Sequence, residues 1–174
     1  MNIFVLDERP RVAAQMHCDK HVVKMILESA QILCTVHRVL NPSLSHLTTS
    51  KATLLYRATH VNHPCTKWAM ESEGNYQWLY RLFCELNEEY VHRYQRDRNH
   101  QSYEFLWSIL MQLPHGIPVG FQTPFAIATA DDCRYPDDPV RSYREYYVKH
   151  KAQLLQYTRR EAPDFVKEFL NDVR

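Results

Sequence analysis

Glycine is scarce in this chain of 174 residues: Gly74, Gly116 and Gly120 are all there are. Loops that cradle phosphates need clustered glycine for close backbone approach, so Walker-type and dinucleotide-binding readings are excluded. Net charge is nearly missing too, at +1. The total therefore shows no basic footprint for nucleic acid, although it leaves room for a local patch. Cys18, Cys34, Cys65, Cys84 and Cys133 are odd in number, widely spaced and contain no CxxC pair. That excludes a zinc ribbon or secreted disulfide framework and fits reduced thiols. The start, MNIFVLDERP, lacks the charged leader and apolar run of a secretory signal, and no apolar stretch approaches the ~20 residues of a membrane span. The expectation is a cytoplasmic chain with no membrane partner and no cofactor. No internal repeat is present.

What is there is enough apolar sequence, 45%, to build a core without staples, and the length suits one domain over residues 1–174. Residues 3–6 (Ile-Phe-Val-Leu) suit a short strand or a buried arm. Helical periodicity runs from about Pro10 to Leu40, with a break near Cys18. Residues 41–50 are turn-rich. Asn62 or His63 can cap a helix that Pro64 begins. That helix places Trp68, Asn75, Trp78, Leu79, Leu82, Phe83, Leu86 and Tyr90 at three- and four-residue spacings. A further helix is expected from about Tyr103 to Leu113, another from Asp138-Pro139 to about Tyr157, and a short one from Pro163. Five prolines and two glycines between residues 114 and 139 predict a long irregular segment, a type usually functional or disordered. The fold class is mainly α, a compact helical fold with a long central first helix.

That first helix carries an unusual stripe. With His17 at 0°, Lys20 falls at about −60°, His21 at about 40°, Lys24 at about −20°, Glu28 at about 20° and Gln31 at about −40°. Around this polar face lie Val22, Val23, Met25, Ile26, Leu27, Ala30, Ile32 and Leu33. An ordinary surface helix has a wide polar face and one apolar stripe; here the proportions are reversed, so the polar seam is expected to line a cleft. A solvated face with one Lys24–Glu28 ion pair is the plainer alternative. In a cleft, Glu28 could act as general base or stabilise a cation, and Lys20 or Lys24 could be an amine nucleophile if its pKa were depressed. His17 and His21, one turn apart, could instead hold a metal.

Asp19-Lys20-x3-Lys24-x3-Glu28-x2-Gln31-Ile32-Leu33, followed by Asn62-His63-Pro64 and Trp68, resembles the pyrimidine-dimer DNA glycosylase (endonuclease V-type) family over roughly residues 1–35 and 60–95. The D-x-H-x6-E motif of its viral branch stands here as Asp19, His21 and Glu28. The resemblance implies a small helical enzyme that attacks the sugar C1′ of a pyrimidine nucleotide in DNA, with RNA or a free nucleotide as alternative substrates. An amine forms a Schiff base, the base leaves, and elimination nicks the strand. It also implies that Glu28 is the catalytic carboxylate and that His21 positions the sugar-phosphate. The viral enzyme's nucleophile is the α-amine of a small residue exposed by loss of the initiator Met. Here residue 2 is Asn, a poor context for that loss, so the chain departs from the pattern, and Met1 joins Lys20 and Lys24 as a candidate. Any α-amine, with a reference pKa of about 8, is partly neutral at working pH. Substrate-binding candidates are His17, Asp19, Gln31, Asn62, His63, Trp68 and Asn75.

Other features compete. A metal-dependent hydrolase using His17 and His21, or a non-catalytic nucleic-acid-binding module, would use the same stripe. Basic and aromatic residues interleave over Tyr90–Arg98 and Tyr143–His150, a pattern for stacking bases and holding phosphates, or for a helix with a Tyr face against the core. Trp68 and Trp78 suit the core, with Trp68 also able to stack on a base. Asp131-Asp132 and Asp137-Asp138 suit turn and helix caps.

Overall fold

The computed structural model describes residues 1–45 and 54–172. Among them are seven α-helices and no strand: α1 (Pro10–Met16), α2 (Asp19–Leu40), α3 (Pro64–Glu71), α4 (Glu73–Tyr94), α5 (Gln101–Leu110), α6 (Pro139–His150) and α7 (Asp164–Asp172). Short 3-10 turns lie at Pro42–Ser45, Asp131–Cys133 and Ala152–Leu154. Part of the loop expected over residues 41–50 lies outside the described residues. No described helix is long and apolar enough to cross a membrane.

α2 is central and packs on α3, α4 and α5. Met25, Ile26, Ala30, Ile32, Leu33 and Val36 are fully buried, and its exposed residues are Lys20, Lys24 and Leu27, with Glu28 and Gln31 partly exposed beside them. The expected break falls at His17 and Cys18, both extended. A helix end leaves carbonyls without partners, and buried Arg93 supplies them, donating to Gln15 O at 2.8 Å and His17 O at 2.7 Å. The same guanidinium reaches Asp19 Oδ1 at 3.1 Å and Glu89 Oε2 at 2.9 Å.

Residues 3–6 are a buried arm rather than a strand. Phe4 takes a left-handed backbone (φ 39°), uncommon for a bulky residue, with Leu6 N bonded back to Phe4 O at 2.8 Å. The single helix expected beyond Pro64 is two helices. Ser72 is extended, and its hydroxyl accepts from Asn75 N and donates to Phe121 O at 2.8 Å. The helix expected to run to Tyr157 stops at His150, because the tail beyond it is held by Asp19: Thr158 N and Oγ1 donate to its carboxylate at 3.0 and 2.7 Å.

The Pro-rich stretch is irregular apart from the turn at Asp131–Cys133, and it is pinned along its length. Glu73 N and Gly74 N donate to Pro118 O and Gly120 O, Thr123 bonds Asn75, and Tyr143 Oη donates to Ala126 O and accepts from Ala128 N. A Cβ on Gly74 would lie 2.3 Å from Gln122 N and 2.6 Å from Phe121 C, so only glycine lets this segment lie against α4. Gly74→Ala is expected to cost about 1–3 kcal/mol through overpacking, read as a lower Tm in thermal unfolding. An unchanged Tm would mean that residues 118–122 do not pack there.

Candidate active site

Glu28 sits on the open strip of α2 with a side chain 12% exposed, and it gathers three nitrogens. Its Oε2 accepts from Asn2 N at 2.8 Å and lies 3.9 Å from the terminal amine of Met1. Its Oε1 lies 3.2 Å from Lys24 Nζ, one helical turn away, on a side chain 63% exposed. The arm reaches this carboxylate because the Asn2 side chain is both donor and acceptor. Its Oδ1 takes Ile3 N at 2.7 Å and Phe4 N at 3.4 Å, and its Nδ2 donates to Ala128 O at 2.9 Å. The irregular segment thus forms one wall of the site.

His63 stands at the start of α3 as its N-cap, with Nδ1 accepting from Cys65 N at 3.2 Å, so the neutral ring carries its proton on Nε2. Its pKa is lowered by partial burial, then by the terminal amine and His60, against a raising effect of Glu28. The terminal amine and Glu28 are thus within electrostatic reach of the ring. His21 lies beneath, with Nδ1 2.8 Å from Tyr147 Oη. Because that hydroxyl accepts from Cys18 N, its proton goes to His21 Nδ1, leaving Nε2 protonated. Burial first, then Lys24 and Lys151, lower the His21 pKa to about 4. At neutral pH His21 therefore offers a hydrogen bond rather than a charge. Phe4 stacks on it at 4.7 Å and lies parallel to Tyr146 at 6.2 Å.

Met1, Asn2 and Lys24 are thus brought together on Glu28, with His63 and His21 within electrostatic reach of it. Other candidates are not. His17 lies outside the stripe because the helix breaks beside it: it is fully buried, its Nδ1 bonds Ala13 O at 2.7 Å, and burial lowers its pKa to about 3. Among the described residues no third metal-ligating side chain joins His17 and His21. Asp19 is occupied by Arg93 and Thr158. Trp68 and Asn75 are core residues, Trp68 against Trp78 and Phe125 and Asn75 bonded to Trp68 O and Thr123. Lys20 and Asn62 are exposed and Gln31 half-buried on the open face. Lys20 and Lys24 are exposed, outside the desolvating pocket that is one route to a nucleophilic lysine. Asn2, Phe4, Tyr146 and Ala128 complete the site; a lone polar residue ahead of an apolar run was the only sequence sign of the first two.

Chemically, a carboxylate beside a primary amine can hold and move protons at one small centre. The apolar cleft of about 370 Å³ lined by Val140, Arg144, Val148 and Phe165 shares no residue with it. Lys24 beside Glu28 is exposed, as are Lys20 and Asn62.

No curated protein and no solved structure matches the chain. A family model described as pyrimidine dimer DNA glycosylase matches residues 1–102, a span that holds Met1, Asn2, His21, Lys24, Glu28 and His63. That match covers more than half of the 174 residues, and the chain belongs to the pyrimidine dimer DNA glycosylase family.

Proposed function

We propose that this protein is a DNA N-glycosylase with strand-nicking lyase activity, acting at C1′ of a pyrimidine nucleotide through its terminal amine and Glu28. One observation carries the reading: a single oxygen, Glu28 Oε2, is shared by Asn2 N at 2.8 Å and the Met1 amine at 3.9 Å. With Met1 in place, the nucleophile is the Met1 amine. With Met1 removed, it is the Asn2 amine, whose nitrogen already lies against the same oxygen.

The amine lone pair adds to C1′ while the bond from C1′ to the base breaks, its electron pair leaving with the base, which takes up a proton. One proton of the added amine passes by way of Glu28 to O4′ as the C1′–O4′ bond breaks, the ring opens to an iminium, and the carboxylate offsets that positive charge. Removal of the C2′ proton then expels the 3′ phosphate, and water releases the amine. His63 and His21, neutral donors, suit phosphate or sugar oxygens, while Lys20 and Lys24 supply charge to the DNA backbone. Reaching C1′ in a duplex calls for an extruded nucleotide.

Borohydride added to the protein with abasic-site DNA is expected to trap a covalent adduct, and peptide mapping should find it on the N-terminal peptide. An adduct on Lys20 or Lys24 would move the nucleophile. No adduct, together with no base released from irradiated DNA, would sink the reading.

A further inference from the structure

Asp132 and Cys133 lie in the short turn within the irregular segment, and His150 is the last residue of α6. One ligand atom from each lies within 4.8 Å of the other two. His150 Nε2 is hydrogen-bonded to Asp132, 3.1 Å from both its oxygens, a contact an ion would replace and a spacing close to the roughly 3.3 Å that separates two ligands in a tetrahedral zinc site with bonds of about 2.0 Å. Cys133 is fully buried, whereas the Asp132 and His150 side chains are 57% and 39% exposed. An ion seated here would rest on a sulfur floor with an open position toward water. The imidazole is held in place by Tyr146, whose ring lies 5.0 Å away, itself set by Phe4. The neighbouring Lys149 ammonium is drawn to Glu145 at 2.8 Å.

We propose that Asp132, Cys133 and His150 form a site for a divalent transition-metal ion, best suited to Zn²⁺, that ties the irregular segment to the end of α6. One sulfur, one imidazole nitrogen and one carboxylate oxygen suit zinc and exclude the all-oxygen cages of calcium and magnesium. On binding, the Cys133 thiol gives its proton to solvent and water fills the fourth position. The site shares no residue with the Glu28 cluster, and no step of the chemistry above runs through it. Its effect is on the wall: Ala128, whose carbonyl holds Asn2, is four residues before Asp132.

The full chain, stripped with a chelator, is titrated with Co²⁺ as a spectroscopic probe and with Zn²⁺ against a chromophoric chelator. One equivalent should bind, with a thiolate-to-cobalt charge-transfer band, and zinc at a hundredfold over its Kd should raise Tm by roughly 5–10 °C. Cys133→Ser should abolish the band, and Cys84→Ser should keep it. Asp132→Asn and His150→Ala, both at exposed positions, should weaken binding at least tenfold and carry the test if the buried Cys133 variant fails to fold. No thiolate band in the unaltered chain, a band that survives Cys133→Ser, or full affinity in Asp132→Asn would each overturn the proposal.

Discussion

Glu28→Gln is expected to slow base release from irradiated DNA by roughly 10²–10⁴-fold while DNA affinity changes by no more than a few-fold. The substitution keeps the size and helical preference of the side chain, and its amide oxygen can still accept from Asn2 N, which now lies 2.8 Å from the carboxylate. What goes is the negative charge facing the terminal amine and Lys24. Stability should hold, because an ion pair with an exposed lysine contributes at most about 1 kcal/mol. Single-turnover rates, the yield of borohydride adduct and a binding isotherm together read the outcome. Turnover at the original rate would remove Glu28 from the chemistry. A parallel loss of affinity would make it a binding residue.

Arg93→Met is expected to destabilise the fold by about 3–5 kcal/mol, lowering Tm by roughly 6–20 °C. Arg93 is fully buried. Its loss removes the cation from Asp19, which keeps the Thr158 donors, and one of two from Glu89, which keeps Arg160, and takes away the donors to Gln15 O and His17 O. Arg93→Lys should recover little, since an ammonium cannot reproduce the fork that serves two carboxylates and two carbonyls. A melting curve decides it, and a shift under 2 °C would mean that water replaces the guanidinium without cost.

Arg93 also marks where reading the chain as a string reaches its end. Its pairing with Glu89 one helical turn back has a local spacing, but Asp19 lies 74 residues away and nothing local announces that pairing. The stripe from Lys20 to Gln31 was legible because helix phase is a local property. His17 left it once the chain turned extended at His17 and Cys18. The cap at His63, with Pro64 behind it, was also written locally. Trp68 suits the core by its spacing and lies there, but its cover and that of Asn75 by the irregular segment, through Phe125 and Thr123, is a contact between distant stretches that periodicity does not encode. The break at Ser72 was hidden for the same reason, since its hydroxyl answers to Phe121.

The buried arm has a practical consequence for anyone handling the protein. Met1 and Asn2 lie against Glu28, and Ile3, Val5 and Leu6 behind them are fully enclosed. An affinity tag fused ahead of Met1 would turn the terminal amine into an amide and push its own chain across the carboxylate. If the terminal amine is the nucleophile proposed above, a preparation purified that way is expected to fold and to release no base. The same tag placed after Arg174 would leave the amine untouched, so the two preparations should be compared before the protein is taken to be inactive.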